Sequence, residues 1–178
     1  MAKYIDKILV SEEEIKAMVK RMGEEITRDY AGKELFLICV LKGGVIFLTD
    51  IMRAIDLPLT IDFMSVSSYS GTKSTGVVRI IKDVDQSIEG KHVLIVEDII
   101  DSGLTLSHLK ELLATRKPAS IAVCSAFDKP ACKEVEVNCE YLGISLPDAF
   151  VVGYGLDYNQ QYRNLPYVAV LADDGKGE

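Results

Sequence analysis

Apolar residues recur along this chain in two rhythms, and the switches between them mark out its elements. Ile15, Met18, Val19, Met22 and Ile26 fall at helical spacing behind Ser11 and Glu14, a capping-box pair, and predict an amphipathic helix that ends near residues 30–32 and covers the core. Residues 35–41 and 93–96 are short unbroken apolar runs, the pattern of strands buried on both faces of a parallel sheet. Each run leads through a glycine-containing turn into a helical pattern, over residues 45–55 in one case and Leu104, Leu109, Leu112 and Leu113 in the other. Residues 59–66, 77–81, 122–127 and 167–171 have strand character, although Ile61 and Phe63 alternate only roughly with Asp62 and Met64. Repeated strand, turn and helix define the α/β class, with a mainly parallel central sheet flanked by helices.

Polar stretches separate these elements. Residues 67–76 form a Ser-, Thr- and Gly-rich run between two strands. A long loop inside a domain is a lid or a linker, and its flanking strands favour a two-stranded arm with a mobile tip, Ser68 and Tyr69 reaching the ligand on closure. Residues 133–138 read as a short polar connection, residues 150–157 as a dense segment followed by Arg163, and residues 173–178 as a frayed polar end. No repeat or linker divides the chain, so residues 1–178 are expected to form one domain.

Composition narrows the partners. Apolar residues make up 48% of the 178 and charged residues 26%, the ordinary globular balance. A net charge of −7 argues against nucleic acid and means that an anionic ligand must be held by local donors and metal. No stretch approaches the ~20 apolar residues of a membrane span, and the start lacks a signal-peptide pattern, so a cytoplasmic protein without membrane contact is expected. Cys39, Cys124, Cys132 and Cys139 lack zinc-site spacing, and Cys39 and Cys124 read as small core residues. His92 and His108 have no second metal-ligand type at useful spacing, which argues against a histidine metal site.

The chemistry concentrates in residues 92–105. Glu97 and Asp98 end the apolar run; Asp101, Ser102 and Gly103 then form a turn before the helix. Loop N–H groups and the positive end of the helix dipole can hold a phosphate, Ser102 and Thr105 add hydroxyl donors, and Gly103 permits close approach. The lysine of the GxxxxGK[ST] phosphate loop is missing. Carboxylates beside a phosphate cradle make sense if they face ligand hydroxyls or a bridging Mg²⁺, and a sugar phosphate with free vicinal hydroxyls satisfies both halves. The plain alternative is a solvated strand end before an ordinary turn. Lys42, Gly43 and Gly44 offer a second anion site or, equally, a tight βα turn. Lys129 is either a solvated surface group or a reader of ligand at the carboxyl end of a strand.

The 92–105 stretch, four hydrophobics, two acids, two hydrophobics and a phosphate loop, resembles the signature of the phosphoribosyltransferases. From about Leu35 to Leu171 the chain resembles the hypoxanthine–guanine enzymes of bacterial type. The resemblance implies a type I phosphoribosyltransferase fold with a two-stranded flap and a small C-terminal hood. It implies that Glu97 and Asp98 meet the ribose hydroxyls of phosphoribosyl pyrophosphate, while Asp101, Ser102, Gly103, Leu104 and Thr105 hold its 5′-phosphate. Lys42, Gly43, Gly44 and Arg163 would meet the pyrophosphate, and the peptide before Lys42 can be cis in that family. Lys129 would donate to the purine C6 oxygen, Phe150 stack on the ring, Val151 offer backbone groups, and Asp157 complete the purine side. Glu97, Asp98 and Asp157 are the implied Mg²⁺ residues. Asp101 occupies the position that is acidic in 6-oxopurine enzymes, where a carboxylate can take the proton lost as the purine joins at N9.

Each role has a bland counterpart: an N-cap for Asp101, a core aromatic for Phe150, a surface ion pair for Arg163. The implied reaction is Mg²⁺-dependent purine salvage, with hypoxanthine or guanine and phosphoribosyl pyrophosphate giving nucleoside monophosphate and pyrophosphate, by a homodimer or homotetramer. Two other classes are weighed against it. A regulatory RNA-binding relative conflicts with the charge and with Asp101; a flavodoxin-like phosphoacceptor would need neither the flap nor the Lys42–Gly44 turn.

Overall fold

The apolar runs assemble into two sheets of different character. The computed structural model describes residues 5–68 and 78–171. In chain order the elements are β1 (Ile5–Val10), α1 (Glu12–Asp29), β2 (Leu35–Leu41), α2 (Gly44–Ala54), β3 (Leu59–Ser68), β4 (Val78–Lys82), β5 (His92–Ile100), α3 (Leu104–Ala114), β6 (Ser120–Asp128), β7 (Tyr141–Ser145), β8 (Val151–Val152) and β9 (Val168–Leu171). A 3₁₀ turn, Pro130–Cys132, follows β6.

The larger sheet runs β4-β3-β2-β5-β6-β7, parallel except for the antiparallel edge strand β4. Side-chain alternation divides its core. Leu35, Leu37, Cys39, Leu94 and Val96 pack with α1 and α2 on one face. Phe36, Ile38, Val40, Val93 and Ile95 pack with Leu106, Leu109 and Leu113 of α3 on the other. Full burial stabilises each large side chain by about 1.5–3 kcal/mol, against about 0–1 kcal/mol for exposed ion pairs such as Lys16–Glu12. Layer packing therefore holds this fold.

The first helix follows its sequence signature: Ser11 N–H donates to Glu14 Oε2 at 2.8 Å, and Glu14 N–H donates to Ser11 Oγ at 3.3 Å. Strands β1 and β7 escape the periodicity reading, as does the two-residue β8, which lies in the segment read only as dense. β1 pairs with β9, which also pairs with β8, so the small three-stranded hood sheet joins both ends of the described chain. β7 adds a parallel edge to β6. Both are short, and their apolar residues alternate poorly with polar ones; only the partner strand gives them a register.

The β3–β4 pair forms the base of the expected arm, with Ser67 opposite Arg79 and Ser68 opposite Val78. Residues 69–76 of the expected tip, Tyr69 included, and residues 173–178 lie outside the described residues, as do the side chains of Ser68 and Val78.

One expectation needs correction. Glu97 and Asp98 do not end their strand: β5 continues to Ile100, with Ile99 opposite Phe127 and Ile100 opposite Asp128. The physical reason is an unequal ladder. β2 stops pairing with β5 at Cys39–Val96, whereas β6 stays paired beyond the acids. The acids therefore lie where β2 and β5 part. Chain order also reverses here, β2 crossing to β3 on one side and β5 to β6 on the other, which makes this the sheet's topological switch point.

Candidate active site

Two helices begin at this crevice, and neither has a side-chain cap. α2 starts behind Gly43 and α3 behind Gly103, with no capping side chain and no acid in the first turn of either. α1, which starts elsewhere, has a complete capping box. Uncapped first-turn N–H groups and the helix dipole are suited to anions, and here two such ends sit on either side of β5. The Leu41–Lys42 peptide is cis.

Glu97, Asp101, Ser102, Gly103 and Thr105 line a single cleft of about 110 Å³ together with Ile99, Ile100 and Leu106. The N–H of Leu104 donates to Ser102 Oγ at 3.4 Å. Gly103 has φ +82°, and a Cβ there would stand 2.6 Å from the Val135 carbonyl oxygen, so the loop requires glycine. Asp101 is exposed and supplies no cap to α3, which removes the N-cap reading. The Cys132 thiol, which donates to Asp148 Oδ1 at 3.4 Å, is pushed up by burial first and then by the neighbouring Asp148 and Asp101 carboxylates.

On the other face of β5, Asp98 faces the Gly43 backbone so closely that a Cβ at Gly43 would overlap its carboxylate. Gly155, at φ +99°, packs on the Gly43 carbonyl in the same way. Arg163 Nη2 pairs with Asp157 Oδ1 at 2.7 Å, and Nη1 donates to the Gly155 carbonyl at 2.7 Å. The ion-pair reading of Arg163 therefore holds, but at the crevice and half-buried. Gln160, which the sequence pattern did not single out, links this cluster. It accepts from Lys42 Nζ at 3.1 Å, and its N–H donates to Asp157 Oδ2 at 2.8 Å. Its only sequence signal was its place between Asp157 and Arg163.

Electrostatics single out the two acids. Burial first, then the charge of Asp98, pushes Glu97 well above the usual carboxylate range. Burial also raises Asp98, against the lowering effect of the Ile99 and Asp98 N–H groups and of Arg163; Asp157 adds repulsion. Both carboxylates would gain from a cation or from hydroxyl donors. The implied metal residues do not converge as a direct three-carboxylate cage, because consecutive strand residues face opposite sides of the sheet. Among the described residues no group of three His, Cys, Asp or Glu side chains is placed to hold a metal.

The purine-side residues surround the same end of the sheet. Lys129 is half-buried and its ammonium has no ion-pair or hydrogen-bond partner among the described residues. Phe150 is 57% exposed, which rules out the core reading, and meets Tyr158 edge-on at 5.6 Å. Val151 is buried in β8.

A switch-point crevice with two uncapped helix ends, acids between them and an open aromatic beyond is the ligand crevice of an open α/β sheet. The family described as phosphoribosyl transferase domain matches residues 7–159, and the chain belongs to it. The hypoxanthine-guanine phosphoribosyltransferase of Bacillus subtilis is 52% identical, covering 94% of this chain and 93% of that protein. The hypoxanthine phosphoribosyltransferase of Salmonella typhimurium is 49% identical over 97% of this chain and 99% of its own length. A crystal structure of the hypoxanthine phosphoribosyltransferase from Staphylococcus aureus superimposes with a TM-score of 0.94 at 46% identity, covering 98% of this chain and 95% of that one. Within the family the chain groups with the hypoxanthine–guanine phosphoribosyltransferases, as an enzyme of the transferase class with the type I phosphoribosyltransferase fold. The phosphoacceptor alternative is set aside.

Proposed function

We propose that this enzyme works in purine salvage, transferring the phosphoribosyl group of phosphoribosyl pyrophosphate to N9 of hypoxanthine or guanine. The N9–C1′ bond forms as the C1′–O bond breaks; its electron pair leaves with pyrophosphate, and the purine proton goes to Asp101. The observation that carries this reading is the pair of uncapped helix N-termini at the switch point, with Glu97 and Asp98 between them and Asp101 at the mouth of the cleft.

The α3 loop, from Asp101 to Thr105, would hold the 5′-phosphate on its N–H groups and hydroxyls. Lys42, Gly43, Gly44 and Arg163 would hold the pyrophosphate, the guanidinium fork suiting its oxygens once shared with Asp157. Glu97 and Asp98 would accept from the ribose hydroxyls. Phe150 is free to stack on the purine, Val151 lies beside it in the chain, and Lys129 would donate to the C6 oxygen, a bond an adenine amino group could not accept. The flap residues Ser68 and Tyr69 would close over the site and keep water from the ribosyl cation.

The donor set suits a Mg²⁺ held largely through its own waters: hard carboxylate oxygens that do not form a cage, two of them raised in pKa by burial, with Arg163 offsetting only part of this at Asp98. Glu97 and Asp98 would hold it on the ribose side and Asp157 on the pyrophosphate side, largely through its waters, and when bound it would neutralise charge on the leaving pyrophosphate. We propose further that the enzyme is cytoplasmic, forms a homodimer or homotetramer, and needs no nucleic acid or membrane.

A spectrophotometric assay with each purine tests the reading. Hypoxanthine and guanine should give nucleotide with phosphoribosyl pyrophosphate and Mg²⁺, excess EDTA should abolish turnover, and added Mg²⁺ should restore it. Undiminished turnover in EDTA would sink the metal role.

A further inference from the structure

Asp128, the last residue of β6, is a buried carboxylate that the reaction above does not use. It is 1% exposed, and its Oδ2 meets Lys133 Nζ at 2.8 Å. Among the described residues, its buried Oδ1 has no hydrogen-bond donor. An incompletely satisfied buried ion pair is a poor stabiliser, and an apolar pair of similar volume commonly serves as well or better. What the pair does mechanically is more informative. It closes the turn that holds Lys129: the Lys129 N–H donates to Ile100 O at 2.9 Å, and its carbonyl accepts from Cys132 N–H at 3.0 Å. On leaving the turn after Lys133, the chain goes directly to the phosphate loop. The N–H groups of Glu134 and Val135 both donate to the Ser102 carbonyl, at 3.0 and 3.1 Å.

We infer that the Asp128–Lys133 pair ties the purine-reading turn to the phosphate loop, and that Lys133 is a positioning residue for both substrates while touching neither. Lys129 hangs on one end of this tie and Ser102 on the other, so loosening it displaces both binding groups together. The inference rests on the roles proposed above for Lys129 and the Ser102 loop.

The test compares Lys133→Met with Lys133→Arg, which keeps the charge and reach. In steady-state kinetics, Lys133→Met should raise KM for hypoxanthine and for phosphoribosyl pyrophosphate together, by about 10- to 100-fold, with a smaller fall in kcat. Lys133→Arg should restore both to within about twofold of the parent, since a guanidinium can take the same partner. Amide hydrogen exchange at Glu134 and Val135 should be faster in Lys133→Met. If both KM values and the exchange stay at parent levels in Lys133→Met, with only the melting temperature lowered, the pair is structural and the inference is overturned. Should Lys133→Met fail to fold, Asp128→Asn keeps the shape and an accepting oxygen, and the same comparison decides. If the unsubstituted enzyme makes no nucleotide, the functional reading has failed by itself; exchange at Glu134 and Val135 then supports or overturns the tie.

Discussion

The side chains of Asp101 and Lys129, both at the crevice, make no hydrogen bond or ion pair among the described residues. Asp101 is exposed, caps nothing and lines the cleft. Asp101→Asn keeps the shape and removes the proposed base, so kcat should fall ~10²-fold or more while the melting temperature barely moves. The reverse outcome, lost stability with kcat intact, would restore a capping role. Lys129→Met keeps length and apolar bulk while removing a charged donor. Hypoxanthine and guanine should each lose kcat/KM by ~1.5–3 kcal/mol, adenine far less, and phosphoribosyl pyrophosphate should bind nearly as before. The hypoxanthine-to-adenine ratio of kcat/KM decides it; a ratio unchanged by the substitution would mean that Lys129 does not read the base.

At the scale of elements, helix starts divide the work. α1 closes its first turn with Ser11 and Glu14, and Ser11→Ala should cost about 1 kcal/mol of stability without changing KM. α2 leaves its first turn open, and its Gly43 touches the Asp98 carboxylate. Gly43→Ala forces that carboxylate or the loop to move, so KM for phosphoribosyl pyrophosphate should rise by about 10²-fold, because ligand donors are displaced by an ångström or more. Measuring both KM and melting temperature on the two variants separates a structural cap from a ligand-binding helix end. Equal effects on the two readouts would argue against the division.

For the whole molecule, the crevice acids make stability depend on pH. The raised pKa of Glu97 means that its ionisation opposes folding. That penalty is absent below the ordinary carboxylate value near 4.5 and grows as pH rises through the raised one. Asp62 has the opposite sign: burial would raise it, but the Phe63 and Asp85 N–H groups and Lys82 outweigh this and lower it. Its stabilisation is present above the ordinary value near 3.8 and is lost as pH falls through the lowered one. Glu97→Gln should therefore melt higher than the parent at pH 8, with the difference vanishing toward pH 4, and should bind phosphoribosyl pyrophosphate more weakly. An equal shift at both pH values would assign the effect to packing instead of charge.

The sequence by itself determined the layers, because they rest on local regularities. The capping box of α1, the unbroken runs of β2 and β5 and the glycine turns behind them are chain-neighbour patterns, and the structure reproduces their bounds to within a few residues. It also exposed the signature around Glu97–Thr105, since a turn between strand and helix is built from consecutive residues. Tertiary structure decided what depends on residues far apart in the chain. β1 and β7 exist because β9 and β6 offer ladders to them. The acids lie within a strand because β6 stays paired after β2 has stopped. Glu97 and Asp98, adjacent in sequence, face the α3 loop and Gly43 respectively, and Gln160 joins Lys42 across 118 residues. Register, ladder length and approach across a crevice are set by the partner segment, and no window of one strand contains its partner.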